Sequence, residues 1–571
     1  MRNTFSHNNN FGGAMGFFEK FLLYLFIFFN IVNIGFSQKA VTFRHESNYL
    51  SDNNDKYKIS KQIFDNIIKI IGNDGDKPEF HIIKIGGQKD CKGIGAWICG
   101  YPKQEIFIEE KLYDICDSFG EERDNALAFI LGHELSHFYK KHWQHYNDSS
   151  GKVKWIKQLG IIQFKKPEND IENKWMVDTL CKIETEADYF ASFYSYVAGY
   201  DPRKIMKTAV ESIYNEPEFK IDDNISIASG YLPKSKRITV VDSVAKILSE
   251  LIPIFDAGNY LLMLKKYEQA ALCYDHISLF FPSREIFNNL GLCYALEAIK
   301  NDTTPFIYPF EFDPRTRLEE FVVKGWEGLK REVLLDSAMK FFELAIQKDS
   351  NYLVAKINKA CILDINGEHQ KAIDYCNSIL KSSFNIDKIS ICHLNIVIGI
   401  ALSNLSNDRA DTYFHKAKII DSTYIYLNQN KINVENKDLV KDLKSFEYFN
   451  NITASLASYL AQNNNPIKIK NNGELEIFYK DSSLFLGYYI NFKTKTGIIN
   501  KISLALTKKE DLTVQTVKGL RKGQSLKELI SIYKQPSYYF MSNNNKFLIY
   551  EYPRIIFELE ENKIVNWIIY E

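Results

Sequence analysis

The chain reads as mostly α: an α+β domain, then a long helical array, then a small C-terminal α+β module. Three observations predict this. Apolar residues recur at helical spacing around His133 and again around Glu184. From about Gly258 to Gln462, amphipathic helical segments follow one another in pairs. Past the run Asn463-Asn464-Asn465-Pro466, which reads as a linker, apolar and polar residues alternate as in strands.

The first element is polar and Asn-rich up to Asn10, then carries Glu19 and Lys20 ahead of an apolar run from Phe21 to Phe36. That run falls short of the roughly 20 apolar residues needed to span a bilayer. It closes on Gly35-Phe36-Ser37, a small-x-small pattern. Residues 1–37 therefore read as a cleaved export signal with Gln38 as the new N-terminus, placing the protein in a periplasm or otherwise outside the cytoplasm. The alternative is a retained N-terminal membrane anchor, and peripheral membrane contact is compatible with either. Lys plus Arg equals Asp plus Glu at 71 each, so no electrostatic case for nucleic-acid binding exists. The nine cysteines are odd in number and fit no zinc-ribbon spacing. Cys91 and Cys99 could pair in an oxidising compartment, while Cys273, Cys293, Cys361, Cys376 and Cys392 fall in helical patterns as small apolar residues.

Residues 38–251 form the next element. Between Ala126 and His142, Leu127, Phe129, Ile130, Leu131, Leu135 and Phe138 make an apolar run with no Gly or Pro except Gly132, which predicts a helix. On it, His133 and His137 stand at i and i+4 and share one face. Both imidazoles can then reach a single tetrahedral Zn²⁺, one per chain, with Glu134 as general base to a metal-activated water. A second helix is predicted over Glu184-Thr185-Glu186-Ala187-Asp188 and the apolar residues that follow. Glu184 can supply a third ligand, and Asp188, one turn on, can accept the second N–H of a ligand histidine. Glu186 is the next candidate ligand.

His133-Glu134-x-x-His137 with a further His142, followed by Glu184-x-x-Ala187-Asp188, resembles the zinc metallopeptidases of the HtpX and CAAX prenyl protease type. These are gluzincins, and the resemblance implies an α+β peptidase domain acting on protein or peptide substrates, with Asp188 and His142 supporting the zinc ligands. Ala96 to Pro102 and Ile106 to Ile108 resemble the family's strand ahead of the zinc helix, which offers an edge to substrate backbone. Ala198-Gly199-Tyr200-Asp201-Pro202 matches the turn after the second zinc helix. Near the domain's end the family carries a His-Pro pair followed by Arg. Here Tyr231-Leu232-Pro233 and Arg237 occupy that place, so Leu232 replaces the His, and Tyr231 and Arg237 are the candidates for binding substrate or the oxyanion.

Residues 252–462 come next. Gly258-Asn259-Tyr260 through Tyr294 resembles a tetratricopeptide repeat, and so does Ala338 through Gly367, with a third beginning at Lys371-Ala372. Ala338 and Ala372 are 34 residues apart, the period of that class. A further degenerate unit covers Ser390 to Asp421. Such repeats stack into a solenoid that binds peptides or a protein partner, and tethering them to the peptidase would deliver substrate. An insertion at 301–328 contains Pro305-Phe306-Ile307-Tyr308-Pro309-Phe310-Glu311-Phe312, too aromatic for a solvated linker and expected to pack on a neighbour.

Residues 467–571 complete the chain. Leu475 to Tyr479, Tyr488 to Phe492 and Ile555 to Leu559 alternate as strands, and Ser525 to Tyr533 reads as a short helix after Gly519 and Gly523. No chemical constellation occurs there. A peptidase of this type with such repeats behind an export signal is similar to the BepA-like periplasmic peptidases, which implies a role in envelope protein quality control. The competing class is a repeat chaperone or assembly factor with a vestigial metal site.

Overall fold

The computed structural model describes residues 48–71, 77–85, 96–99, 105–140, 142, 153–156, 161–164, 170–216, 233–302, 308–313, 330–382, 386–420, 447–448, 452–471, 473–493, 499–507, 513–542 and 545–571. The apolar run Phe21 to Phe36, Cys91, Tyr231 and Leu232 lie outside them. The chain is mostly helical and divides into two compact units, residues 1–246 and 247–571. Among the described residues no helix is long and apolar enough to cross a membrane.

The first unit begins with α1 (Asp55–Ile71), whose Ile63, Phe64, Ile67 and Ile68 recur at helical spacing and are buried. A three-stranded sheet follows, β1 (Glu79–Ile83), β2 (Ala96–Cys99) and β3 (Glu105–Glu109), in the order β1-β3-β2. β1 runs parallel to β3 with Phe80 opposite Ile106, and β2 runs antiparallel with Trp97 opposite Phe107. β2 is thus an edge of this sheet among the described residues. Phe64 of α1 stacks on Phe80 at 5.0 Å, tying helix to sheet.

Next come α2 (Glu110–Asp117), α3 (Arg123–Tyr139), the hairpin β4 (Val153–Ile156) and β5 (Ile161–Phe164), α4 (Asp170–Val197), α5 (Met206–Asn215) and the start of α6 (Lys234–Met263). α3 is the central helix: every residue from Ala126 to Ser136 is buried. It packs on α4 through a close approach at Gly132, where a Cβ would stand 3.1 Å from the carbonyl oxygen of Ala191. Small hydroxyl residues line the same seam without a desolvation cost, because Ser136, Ser192 and Ser195 each donate to the carbonyl four residues back. α4 ends on Gly199 at φ +96°, a left-handed conformation that suits glycine. Asp201 then caps the turn at Pro202–Lys204 by accepting from the Arg203 N–H.

In the second unit, α6 runs on through Pro253 and is followed by α7 (Tyr267–Ser278), α8 (Arg284–Ala298), α9 (Arg331–Lys348), α10 (Leu353–Ile365), α11 (His369–Ser382), α12 (Lys388–Asn404) and α13 (Ala410–Ile420). From α7 onward consecutive helices pack pairwise, and α8, α10 and α12 also lie side by side. The small positions allow this: a Cβ on Gly291 would meet Phe342 at 2.8 Å, and one on Gly258 would meet Cys273 at 3.0 Å. Cys273, Cys293, Cys361, Cys376 and Cys392 are buried free thiols in these helices. Residues 308–313 of the insertion are buried against α8, α10 and α12.

The remainder is α14 (Ala454–Ala461), an eight-stranded antiparallel sheet and α15 (Leu526–Tyr533). The strands are β6 (Ile467–Asn471), β7 (Gly473–Asp481), β8 (Phe485–Lys493), β9 (Ile499–Thr507), β10 (Tyr538–Ser542), β11 (Asn545–Tyr550), β12 (Ile555–Glu560) and β13 (Lys563–Tyr570). Their order is β10-β11-β12-β13-β9-β8-β7-β6, so β13 closes back beside β9. Leu529 and Tyr533 of α15 and Ala454 and Ala457 of α14 share one core with Trp567, Phe557 and Ile555. Ser525 starts α15 with a capping box to Glu528. The sheet joins the helices of its own unit: Tyr488 donates to Asp256 at 2.7 Å, and Tyr538 donates to the Met263 carbonyl at 2.8 Å.

Candidate metal centre

α3 and α4 bring His133, His137 and Glu184 together. One ligand atom from each lies within 4.8 Å of the others. His133 Nε2 is 3.0 Å from His137 Nε2 and 3.3 Å from Glu184 Oε2, and His137 Nε2 is 3.4 Å from Glu184 Oε1. Two imidazoles and a carboxylate are the donor set of a catalytic zinc site that keeps one position open. Separations near 3.0–3.5 Å are what ligands at bonds of about 2.0–2.2 Å produce around one tetrahedral ion, so these residues fit zinc.

A layer of contacts behind the donors fixes their orientation. His133 Nδ1 lies 2.7 Å from Asp188 Oδ1, leaving Nε2 directed at the cluster. Asp188 is fully buried, and Arg237 grips both of its oxygens, Nη2 donating at 2.8 Å and Nε at 3.1 Å. Burial alone would raise the Asp188 carboxyl, but Arg237 and His133 hold it below its ordinary value. Glu184 is likewise held well below the carboxylate range: burial opposes this, and His137 and His133 outweigh it. For Glu134 burial, helped by the neighbouring Glu184 and Asp188, outweighs the charges of His133 and Arg237 and pushes its carboxyl up to about 7. A carboxylate in that range can take a proton and release it near neutrality.

The structure distributes the sequence-derived candidates as follows. His133, Glu134, Glu184 and Asp188 are buried together on α3 and α4, with His137 half-buried beside them. α3 ends at Tyr139, short of His142, which lies past the helix end and turns back to place its Nδ1 2.9 Å from His137 Nδ1. Glu186 stands outside the cluster, 3.6 Å from His142 Nε2. Arg237, read from the sequence as a substrate or oxyanion group, has its guanidinium on Asp188, with Nη1 3.6 Å from Glu184 Oε2. The spacing rules gave no hint of this, because 49 residues separate Arg237 from Asp188. Tyr214 of α5 also escaped sequence reasoning; it shares a side-chain hydrogen bond with Arg237. A second mixed grouping, Glu79, His81 and Glu105, spans β1 and β3 with His81 Nε2 at 3.7 and 3.6 Å from the two carboxylates, but it opens to solvent at Glu79.

Residues 61–245 match the model of peptidase family M48. No curated protein matches the chain. The matched span covers α1 through most of the first unit and contains all of the residues gathered at the cluster. It supports a metallopeptidase in this part of the chain, acting by metal-dependent proteolysis on protein or peptide substrates, with zinc the usual metal.

Proposed function

We propose that the chain is a zinc-dependent endopeptidase of the HtpX-like gluzincin type. His133, His137 and Glu184 hold the ion and Glu134 is the general base. The observation that carries this is the convergence of those three donors from α3 and α4, within a span that matches a metallopeptidase family. A zinc ion held there supplies Lewis acidity, polarising a peptide carbonyl and making water more acidic.

The chain's own residues do the rest. Glu134 accepts a proton from the attacking water and returns it to the leaving amine nitrogen, a role that its raised pKa suits. Asp188 accepts the Nδ1–H of His133, which keeps Nε2 free as a donor to the metal. Arg237 neutralises Asp188 and thereby supports the ligand geometry rather than touching substrate. β2, an edge of its sheet among the described residues, offers its backbone to an extended peptide, a mode of binding that reads little sequence.

Export and a role in envelope protein quality control, with the helices of the second unit as tetratricopeptide repeats, belong to the same proposal. They rest on the Phe21 to Phe36 run, the Gly35-Phe36-Ser37 pattern and the 34-residue step. Leu232 at the family's His position favours the alternative, a repeat chaperone with a vestigial metal site. Glu134→Gln separates the two. It should keep zinc, measured by elemental analysis, and lose nearly all cleavage of casein. Wild-type cleavage by that variant would remove Glu134 from the chemistry, and absence of zinc and cleavage in the wild type would favour the chaperone.

A further inference from the structure

The segment Tyr308–Asp313 is held in the second unit as a bound peptide would be. Asn358 lays its side-chain amide along the backbone of Glu311, its Oδ1 accepting the N–H at 2.8 Å and its Nδ2 donating to the carbonyl at 2.6 Å. Asn289 does the same for Asp313, accepting at 2.8 Å and donating at 2.6 Å. Asn288 adds a second donor to the Glu311 carbonyl at 3.1 Å and accepts from Asn358 at 2.8 Å. Residues i and i+2 of an extended chain turn their N–H and C=O the same way. The asparagines of α8 and α10 therefore stand where a neighbouring strand would, and such bonds hold an extended segment whatever its side chains.

Separate partners read the side chains. His393 of α12 contacts the Glu311 carboxylate through Nδ1 in a short hydrogen bond. Tyr352 donates to Asp313 Oδ2 at 2.8 Å, and the Arg284 guanidinium adds its field there. Tyr308 donates to Asp364 Oδ2 at 2.8 Å. Phe312 packs edge-on against Phe540 and Phe547 of the sheet, at 5.9 and 5.2 Å. Asn288, Asn289 and Asn358 are all fully buried. Three buried amides inside a helical stack are costly unless paired, and this segment's backbone does much of the pairing.

We propose that the groove between α8, α10 and α12 is a binding site for an extended acid–aromatic–acid peptide, filled in cis by Glu311-Phe312-Asp313, so that a protein carrying such a segment binds by exchange. Binding of this kind couples any partner of the helical unit to release of the chain's own segment.

The test uses the full chain and a fluorescein-labelled hexapeptide, Tyr-Pro-Phe-Glu-Phe-Asp, followed by anisotropy. The double variant Glu311→Ala with Asp313→Ala, which weakens the cis occupant, should bind the peptide at least about tenfold more tightly than wild type does. Adding Asn358→Ala should then weaken binding by about tenfold, the effect of two lost hydrogen bonds. A hexapeptide with both acids replaced by alanine should also bind about tenfold more weakly. A folded double variant that ignores the peptide, or equal binding by double variant and wild type, overturns the proposal; so does equal binding of the two peptides. Should the double variant fail to fold, hydrogen exchange at the Glu311 and Asp313 amides of wild type decides: excess unlabelled peptide should accelerate it severalfold, and unchanged rates overturn the proposal.

Discussion

Asp188 Oδ1 lies 2.7 Å from Nδ1 of His133, and through that contact it determines which imidazole nitrogen turns toward Glu184. Asp188 is held as a carboxylate, so it accepts and Nδ1 carries the proton. Removing it frees the ring to rotate and removes its basic support. Asp188→Ala should weaken zinc binding about 10- to 100-fold. Glu184→Ala, which deletes a donor outright, should abolish tight binding. Competition with a zinc chelator measures both, and equal affinities for Glu184→Ala and wild type would move the third ligand elsewhere.

Arg237→Ala should cost stability as well as metal. The guanidinium is largely buried and makes two hydrogen bonds to Asp188, so truncation strands a buried carboxylate without its cation. Breaking a buried pair in this way costs about 3–5 kcal/mol. Arg237→Lys should recover only part of the loss, because an ammonium cannot engage both oxygens in fork geometry. Thermal unfolding of the three proteins is the measurement, and an unchanged Tm for Arg237→Ala would contradict the pairing.

Gly132 sets the spacing between α3 and α4. Its missing Cβ would meet the Ala191 carbonyl oxygen at 3.1 Å and the Ala191 Cα at 3.2 Å, both backbone atoms that cannot rotate away. Gly132→Val should force the helices apart at the residue before His133, costing about 1–3 kcal/mol. Zinc affinity should fall with it, since His133 and Glu184 sit on the two helices that part. A fully stable Gly132→Val variant with native zinc affinity would show that the seam can yield.

How far the sequence discloses this arrangement depends on whether a periodicity links the residues. His133 with His137, and Glu184 with Asp188, are pairs on single helices, so helical spacing alone puts each pair on one face. Tyr214 and Arg237 reach the same cluster from α5 and α6, and no local rule ties them to α4. The strands of the C-terminal sheet are visible in their alternation, yet alternation names no neighbour, and the pairing of β13 with β9 depends on packing over α14 and α15. Asn288, Asn289 and Asn358 look like ordinary polar positions in amphipathic helices. Their partners lie 23 to 47 residues away in an aromatic insertion, a distance at which sequence pattern carries no contact information.

The turn after α4 supplies a pH-dependent test away from the metal donors. Asp201 accepts from the Arg203 backbone N–H at 3.2 Å and from its guanidinium at 2.8 and 2.6 Å. Burial would raise this carboxyl, but the Arg203 bonds and charge outweigh burial and lower it. A lowered folded-state pKa contributes stability above the unfolded value of about 3.9, and that contribution fades as pH falls through the lower folded value. Asp201→Ala should therefore destabilise by about 1–2 kcal/mol at neutral pH. The gap to wild type should narrow below about pH 4; a gap of the same size at pH 7 and pH 3 would show that the carboxylate charge is not what stabilises the turn.

Zinc should stabilise one unit of the chain and leave the other untouched. Among the described residues, both groupings able to hold a metal lie in residues 1–246, and His133, His137 and Glu184 are the buried one. The imidazoles of His133 and His137 and three carboxylates, those of Glu134, Glu184 and Asp188, crowd that interior, with Arg237 as the permanent cation among the described residues. A divalent ion adds the missing positive charge, and a ligand that binds only the folded state stabilises by RT ln(1 + [L]/Kd), about 4.1 kcal/mol at a thousandfold excess over Kd. The second unit's core is built from helices and an eight-stranded sheet, and it gains nothing from the ion. Calorimetry of the full chain should accordingly resolve one transition that rises with zinc and falls with chelator, beside one that does not move. Glu184→Ala should leave both transitions insensitive to zinc. If zinc shifts the two transitions equally, or if the response survives in Glu184→Ala, the stabilising ion is not the one held by His133, His137 and Glu184.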